Sequence, residues 1–208
     1  MKIYMLFENL DRNEYARMGC VGTWVDFRDP CPKCESNYQT IAEPLVIEWE
    51  QRYKGIGDFT WSMASTIVKE NVKEYILSNK LPWQFGKVVV NEHKRIIRGP
   101  KSSNKMPSSL NADLKLFWLR PARQIKLDVH KSRMRPPFEC RHCGIIKHES
   151  KPTRLVICRS EWNGEGVFGI EQFYPSTTSY ITEPVLEGLL KEGFKNFWYK
   201  EAGIIEDS

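Results

Sequence analysis

The sequence predicts an α+β fold built mainly from antiparallel sheet, with two or three helices. Three observations support this prediction. Short apolar runs of strand type recur along the chain, two stretches place apolar residues at a spacing of three and four, and turn-forming residues separate them. The chain has 208 residues, of which 41% are hydrophobic, and this is enough for one sizeable core. We therefore expect residues 1–208 to form a single domain.

Short apolar runs and one amphipathic stretch organise the first part of the chain. The runs predict strands at residues 2–8, 22–27 and 44–49. Residues 55–61 are expected to be an irregular approach to a helix that begins near Ser65, with Ser65 or Thr66 as its N-cap. The apolar face of that helix consists of Ile67, Val68, Val72, Tyr75 and Ile76. A strand is expected at residues 81–90.

The second part of the chain begins with a polar segment and continues with further strands. Residues 98–111 are rich in glycine, proline, serine and lysine, which predicts a flexible loop. Apolar runs predict strands at residues 114–119, 124–129 and 153–160. Gly164-Glu165-Gly166 predicts a hairpin turn. A last helix is expected near residues 182–192, followed by a closing strand at 195–199.

Two short cysteine pairs, Cys31-Pro32-Lys33-Cys34 and Cys140-Arg141-His142-Cys143, carry the strongest chemical signal. Because two residues separate the thiols in each pair, one tight turn can aim both sulfurs at the same point, and two such turns complete a tetrahedral sulfur shell around zinc. We therefore predict a structural zinc site formed by Cys31, Cys34, Cys140 and Cys143. Redox use and unliganded thiols are the alternatives. Redox pairs usually begin a helix, whereas Pro30 and Pro32 flank Cys31 here and Pro136-Pro137 precede the second pair.

An internal similarity links the two parts of the chain. Residues 67–77 and 180–190 match at a shift of 113 positions in the placement of acidic and apolar residues, and the cysteine pairs are offset by 109. This similarity predicts two related halves, 1–97 and 112–208, that share one zinc site near a pseudo-twofold axis. Convergence on ordinary helical spacing is the alternative, because amphipathic helices commonly share a spacing of three and four.

The charge of the chain is concentrated in its middle. The net charge is +5, but the segment 87–135 contains thirteen Lys and Arg residues against three acidic residues. Such clustering favours an acidic protein partner or nucleic acid, although a solvated surface is an equally simple explanation. Within this basic segment the candidate partner-binding residues are Trp118, Arg120, Arg123 and Lys126. Trp118 and Trp162 are the candidates for exposed aromatic anchors.

The sequence lacks the residue patterns of common catalytic sites. It contains no phosphate-binding glycine loop, no zinc-protease helix motif and no nucleophile elbow. His93, His130 and His148 have no carboxylate or second histidine at catalytic or metal-ligand spacing. A closed four-sulfur site also leaves no coordination position for water. We therefore expect the protein not to be an enzyme.

The cysteine usage and the hydropathy of the chain bear on its location. Four of the six cysteines lie in metal-type pairs, which fits a reducing cytosol better than a secreted disulfide scaffold. No stretch approaches the roughly twenty apolar residues of a membrane span. The N-terminal run lacks the small-residue cleavage site of a signal peptide. We expect a cytoplasmic protein that has no membrane partner.

Several of these features together resemble a known family. An N-terminal strand, a Cys-Pro-x-Cys pair at Cys31, the segment Gly57-Asp58-Phe59-Thr60-Trp61 before a helix, and Cys140-x-x-Cys143-Gly144 resemble the double-CxxCG family of bacterial immunity proteins. The resemblance implies a protein of a polymorphic toxin system, of the myxobacterial type, that neutralises a toxin encoded beside it. Glu35 stands where the first trailing glycine would be, and we expect this departure to require a different backbone angle.

The sequence thus supports one leading hypothesis and two alternatives. The leading one is a non-catalytic immunity protein that binds a cognate protein toxin and is held together by structural zinc. The first alternative is a zinc-ribbon-like protein that binds nucleic acid through the basic segment 87–135, although that segment has no recognisable recognition helix. The second alternative is a thiol oxidoreductase. These alternatives differ in partner and in thiol reactivity.

Overall fold

The computed structural model describes residues 1–9, 15, 18–20, 24–36, 38–49, 56–62, 65–90, 114–135, 138–144, 146–147, 152–173 and 177–207. Its strands are β1 (Lys2–Glu8), β2 (Met18–Cys20), β3 (Trp24–Arg28), β4 (Tyr38–Ile41), β5 (Leu45–Trp49), β6 (Phe59–Ser62), β7 (Ser65–Lys69), β8 (Trp83–Val90), β9 (Leu116–Pro121), β10 (Gln124–Ile125), β11 (Phe138–Glu139), β12 (Ile146–Lys147), β13 (Leu155–Cys158), β14 (Val167–Ile170), β15 (Tyr180–Thr182) and β16 (Phe197–Glu206). Its helices are α1 (Glu70–Ser78) and α2 (Glu183–Lys191). The α+β class with sheets and two helices is therefore confirmed for the described residues.

Two six-stranded mixed sheets form the body of the molecule. The first sheet has the order β2-β5-β8-β9-β7-β6, and the second has the order β10-β14-β15-β1-β16-β13. Three pairings are parallel, β5 with β8, β10 with β14 and β13 with β16. The other pairings among the described strands are antiparallel, in agreement with a mainly antiparallel prediction.

Each sheet curls so that its two edges approach each other. In the first sheet the edge strand β2 contacts the opposite edge strand β6. In the second sheet the chain leaves β10 on one edge and reaches the other edge, where the Asp128 N–H donates to the Val156 carbonyl oxygen of β13 over 2.9 Å. Edge strands expose unpaired backbone groups, so the bond between Asp128 and Val156 satisfies a donor and an acceptor that a flat second sheet would leave open.

The two sheets repeat one design with an exchanged strand. We call β1 to β8 with α1 the first unit, and β9 to β16 with α2 the second unit. In the second sheet β1 lies between β15 and β16, and in the first sheet β9 lies between β7 and β8. Each unit therefore contributes its first strand to the sheet of the other unit. The internal similarity seen in the sequence corresponds to this repeated topology.

The strand register of the two sheets repeats as well. Tyr4 pairs with Ile181, and Phe117 pairs with Val68, so both partners are related by a shift of 113 positions. Leu6 pairs with Tyr199, and Leu119 pairs with Phe85, which sets a shift of 114 between β8 and β16. We call residues related by these shifts equivalent. The match in register shows that the similarity extends beyond helical spacing.

Three apolar clusters fill the described part of the molecule. The central cluster lies between the sheets and the helices and contains equivalent pairs: Leu6 and Leu119, Val68 and Ile181, Val72 and Val185, Ile76 and Leu189. A second cluster lies within the first sheet and includes Leu45, Ile67 and Trp118. A third lies within the second sheet and includes Leu155, Phe168 and Tyr180. Because both units contribute to the central cluster, their folding is expected to be coupled.

The start of the first helix was predicted wrongly. Residues 65–69 are strand β7, and α1 begins at Glu70 with Lys69 as the N-cap and no capping hydrogen bond from its side chain. Residues 59–62, expected to be irregular, form strand β6. The β-branched side chains of Thr66, Ile67 and Val68 suit a strand, and β7 is held between β6 and β9. Tertiary pairing therefore overrode the helical spacing.

Most other predicted elements lie close to their expected positions. The last helix, expected near 182–192, is α2, while the closing strand continues beyond 199 to Glu206. The strand expected at 124–129 is limited to Gln124–Ile125. The glycine turn at Gly164-Glu165-Gly166 directly precedes β14, but β14 does not pair with the preceding strand β13, so the turn does not close a hairpin. The loop predicted at 98–111 lies outside the described residues. Among the described helices, none has the length and apolar character needed to cross a lipid bilayer.

Candidate metal centre

The first cysteine pair lies in the connection between β3 and β4, which form a two-stranded sheet. The Glu35 N–H donates to the Cys31 carbonyl oxygen over 2.8 Å, and the Cys31 N–H donates to the Ser36 carbonyl oxygen over 3.0 Å. These bonds close a tight turn around Cys31 and Cys34. Cys31 is 3% exposed, and Cys34 is half-buried.

The second cysteine pair repeats this arrangement between β11 and β12. The Gly144 N–H donates to the Cys140 carbonyl oxygen over 2.7 Å, and Gly144 has a φ of +72°. Glu35 occupies the matching position with a φ of +55°, in the same left-handed region. The expectation that Glu35 requires a different backbone angle was therefore wrong. The turn holds its shape at the cost of placing a residue with a Cβ in a disfavoured region.

The four thiols of the two pairs converge. Their sulfur atoms all lie within 4.8 Å of one another. Cys31 Sγ is 3.9 Å from Cys140 Sγ, and Cys34 Sγ is 3.6 Å from Cys143 Sγ. In a tetrahedral site with Zn–S bonds of about 2.3 Å, neighbouring sulfurs lie about 3.8 Å apart. The cluster can hold a metal ion, and its donor set and spacing fit zinc.

Hydrogen bonding and burial affect these thiols in opposite directions. The Ser36 hydroxyl, 3.0 Å from the Cys34 sulfur, lowers the pKa of that thiol. At Cys140 the backbone N–H groups of Cys143 and His142 favour the thiolate, but burial and the neighbouring thiols outweigh them and raise its pKa to about 11. Four thiolates this close repel one another, so a cation is required to keep all of them ionised.

The surroundings of the centre separate the four cysteines from other candidate ligands. His142, between the second pair, is exposed, as expected for a turn residue that faces solvent. Cys158 lies elsewhere, and its thiol contacts Asp128 Oδ2 at 3.5 Å. In the part of the chain that the structure describes, the four pair cysteines are the one cluster of metal-ligating side chains. Cys158 and all four cysteines of the centre form no disulfide.

The candidate partner-binding residues do not form one surface with Trp118. Trp118 is 5% exposed and belongs to the cluster within the first sheet, so its prediction as an exposed anchor was wrong. The physical reason is that β9 lies between two cores, so both of its faces are covered. Trp162 is half-buried, and its indole N–H donates to the Glu165 carbonyl oxygen over 2.8 Å.

The basic candidates are exposed, but two of them are engaged within the chain. Arg120 Nε donates to Gln84 Oε1 over 2.7 Å. Arg123 Nε lies 2.7 Å from Glu165 Oε1 in an ion pair. Lys126 is exposed on the segment that follows β10. Arg120 therefore belongs to the first sheet, whereas Arg123 and Lys126 lie beside the second.

Sequence reasoning also missed residues near functional features. Ser36 was not singled out, although its position two residues after Cys34 is a signal for a hydrogen bond to the ligand sulfur. A cavity between the sheets, about 150 Å³ in volume, includes Phe7, Trp61 and Trp83 in its wall. No local sequence pattern predicts it, because its walls come from both units.

Comparisons with known proteins add no family assignment to this geometry. No protein-family model matches the sequence. No curated protein matches it either. The arrangement of the described residues is therefore the basis on which a function is proposed.

Proposed function

We propose that Cys31, Cys34, Cys140 and Cys143 bind one structural zinc ion that connects the two units of the fold. The observation that carries this proposal is that two thiols from each unit lie within 4.8 Å of one another. The close contacts join matching members of the pairs, Cys31 with Cys140 and Cys34 with Cys143, each offset by 109 residues. One ion bound by all four would therefore lie near the pseudo-twofold axis.

The proposed biological role is that of a non-catalytic immunity protein that binds and neutralises a cognate protein toxin. A four-sulfur site is closed to water, which supports a structural metal and no metal catalysis. The resemblance to the double-CxxCG immunity proteins supplies the partner class. On this proposal the protein acts by covering the active surface of the toxin, and the zinc ion keeps the binding surface in shape.

The contacts of the basic residues weigh against the nucleic-acid alternative. Phosphate binding requires Lys and Arg side chains that are free to face the backbone of the nucleic acid. Lys115 pairs with Glu70 at 2.8 Å, Arg123 pairs with Glu165, and Lys131 pairs with Glu206 at 3.1 Å. These acidic partners reduce the positive potential of the described part of the basic segment.

We propose a cytoplasmic location, because the four cysteines are arranged as metal ligands and not as disulfides. Thiolate ligands persist where the compartment is reducing, whereas secreted proteins of this size use their cysteines in disulfides. The closeness of the thiols supports the same location. In an oxidising compartment Cys34 and Cys143, with sulfurs 3.6 Å apart, would be able to form a disulfide instead.

The zinc proposal is tested on the purified full chain by elemental analysis and thiol labelling. We expect one zinc ion per chain and slow alkylation of the four ligands until a chelator is added, because bound thiolates are shielded. Rapid alkylation of one thiol in the metal-loaded protein would support the oxidoreductase alternative. Two zinc ions per chain would contradict a shared site.

The immunity proposal is tested by affinity capture of the tagged chain from its host, with identification of co-purified protein and nucleic acid. We expect one protein whose toxic domain is harmless when it is expressed beside this chain. Nucleic acid without such a protein would reject the proposal. A variant that reverses the charges of Arg120, Arg123 and Lys126 then shows whether the basic segment forms the contact, since unchanged capture would exclude it.

A further inference from the structure

A cavity of about 150 Å³ lies where the two units meet. Its wall includes the equivalent residues Leu6 and Leu119, and the equivalent residues Thr66 and Ser179. The cavity therefore lies near the pseudo-twofold axis and not within either unit. It is partly open to solvent, because its wall includes half-buried side chains such as Thr66.

Four of the ten residues in the wall of this cavity are aromatic. Phe7, Phe59, Trp61 and Trp83 line it. The Trp83 indole N–H donates to the Ser179 hydroxyl over 2.8 Å, which fixes one wall and satisfies its buried polar group. A cavity of about 150 Å³ with apolar walls can hold one benzene-sized group.

An exposed aromatic surface continues from the cavity. Phe7 lines the cavity and also contacts Trp198, with ring centroids 6.4 Å apart. Trp198 is 59% exposed, which makes it the most exposed large apolar side chain of the described residues. Exposed apolar surface next to a pocket is typical of a protein-binding site, and Trp is enriched among residues that dominate binding energy.

The other unit shows that the fold does not require this aromatic pair. Phe7 pairs with Trp198 in the second sheet, and the equivalent pair in the first sheet is Arg120 with Gln84. The polar pair satisfies itself through a hydrogen bond of 2.7 Å. The same two strand positions are therefore compatible with polar residues, so the exposure of Trp198 is not a by-product of the sheet.

We propose that this cavity, together with Phe7 and Trp198, is the surface that binds the protein partner, and that it receives one aromatic side chain of that partner. The inference rests on the proposed function and specifies its binding site. The occupant is argued from the volume of the cavity, its aromatic wall and its continuity with an exposed Trp. Aromatic anchors in fully desolvated pockets are the usual centres of binding energy.

The first test uses toluene, the side chain of Phe, as the probe on the zinc-loaded full chain. We expect saturable binding, detected by nuclear magnetic resonance or by tryptophan fluorescence. Thr66→Phe should abolish it, because Thr66 lines the cavity and the new ring would occupy the space. Absence of saturable binding to the native chain would overturn the proposal.

The second test uses the captured partner protein. Trp198→Gln introduces the residue that the equivalent position already carries, so it should preserve the fold while it weakens partner binding at least tenfold. Leu77→Gln is the matched control, because Leu77 is 57% exposed on α1 and lies outside the cavity wall. The partner should also displace bound toluene.

The outcomes separate this inference from the proposed function. If the native chain captures no toxin, the proposed function fails and this inference fails with it. If the native chain, Trp198→Gln and Thr66→Phe all bind the toxin with equal affinity, only this inference fails. Persistence of toluene binding in the complex would also overturn it, because the occupant would then be a small molecule and not a side chain.

Discussion

The two units of the chain share the order of five strands and the register of the central ones, but they differ in the side chains at equivalent positions. The central cluster pairs apolar residues with apolar residues, such as Val72 with Val185 and Ile76 with Leu189. Outside it the units diverge, with Arg120 and Gln84 in one sheet where Phe7 and Trp198 lie in the other. The apolar positions of the central cluster, together with the cysteine pairs, are therefore the features that the two units have in common.

The cores within the two sheets also differ in packing. In the first sheet Trp118 pairs across the strands with Gly86, and in the second sheet the equivalent residues are Met5 and Lys200. The glycine leaves room for a large ring that the other unit does not have. The same backbone therefore accommodates different core shapes, provided that each large side chain faces a small neighbour.

The metal centre is where the two units should be most alike. Cys31→Ser and Cys140→Ser remove matching ligands that are 3% and 4% exposed. We expect each to abolish zinc retention, to lower stability by at least about 3 kcal/mol and to loosen both sheets, because metal binding is coupled to folding. Zinc analysis and hydrogen exchange of both sheets measure this.

The control for the metal centre is Cys158→Ser, which lies outside the cluster and should retain zinc. Different consequences for the two ligand variants would break the equivalence of the units. Loss of metal with one sheet still fully protected would show that the ion does not connect them.

Gly86 tests the packing difference between the sheets. A Cβ at Gly86 would overlap three atoms of the Trp118 ring, and that ring is buried. We expect Gly86→Ala to destabilise the protein by about 3 kcal/mol, because the rigid ring cannot move aside without disturbing the core. The control Lys200→Ala, at the equivalent exposed position, should change stability by less than about 0.5 kcal/mol. Denaturant unfolding compares them, and equal effects would contradict this packing.

Tyr180 gives the second sheet a pH dependence that its counterpart lacks. Burial raises the pKa of Tyr180 to about 12, and the equivalent residue in the first sheet is Ile67. Because the folded state favours the neutral phenol, this stabilisation is fully present below pH 10 and is lost as the pH rises towards 12.

The loss expected from Tyr180 is on the order of 2 to 3 kcal/mol, since each pKa unit corresponds to about 1.4 kcal/mol. Thermal unfolding between pH 9 and about pH 12 measures it, with Tyr180→Phe as the comparison. The native chain should lose more stability than the variant across this range. If the stability of the native chain and of the variant changed with pH in parallel, Tyr180 would ionise as readily in the folded state as in the unfolded state.

The sequence predicted local features well where one residue pattern was sufficient. The apolar run at residues 2–8 is β1, and the amphipathic stretch near 182–192 is α2. A shared metal site could be predicted for two cysteine pairs about a hundred residues apart, because the number and spacing of zinc ligands are chemical requirements that do not depend on the fold. These predictions needed no knowledge of long-range pairing.

The remaining features depend on contacts that the local sequence does not contain. Residues 65–69 fit a helix and a strand equally well over so short a span, and their partners in β9 lie some fifty residues away. The exchange of β1 and β9 leaves no trace in hydropathy, because a strand has the same pattern in either sheet. The exchange places β9 in the middle of the first sheet, between two cores, and Trp118 is therefore buried.

The smallest effects on stability are expected at two left-handed backbone positions, where one unit has glycine and the other has a residue with a side chain. Lys80 lies two residues after α1 with a φ of +52°, and its equivalent, Gly193, lies two residues after α2 with a φ of +71°. Glu35 and Gly144 form the same contrast beside the cysteines. In both cases the first unit places a side chain where the second uses glycine.

Substitution at the helix ends measures the cost of this difference. Lys80→Gly should stabilise the protein by about 0.5 to 1 kcal/mol, because relief of the left-handed strain exceeds the added entropy of the unfolded chain. Gly193→Ala should destabilise it by about 1 kcal/mol, and nothing lies within 4 Å of the added Cβ, so the effect is one of backbone conformation alone. Denaturant unfolding resolves such differences as shifts of the midpoint, provided that the m-value is the same for the native chain and the variants. If Lys80→Gly lowered stability instead, the Lys80 side chain would have to contribute more than its backbone angle costs.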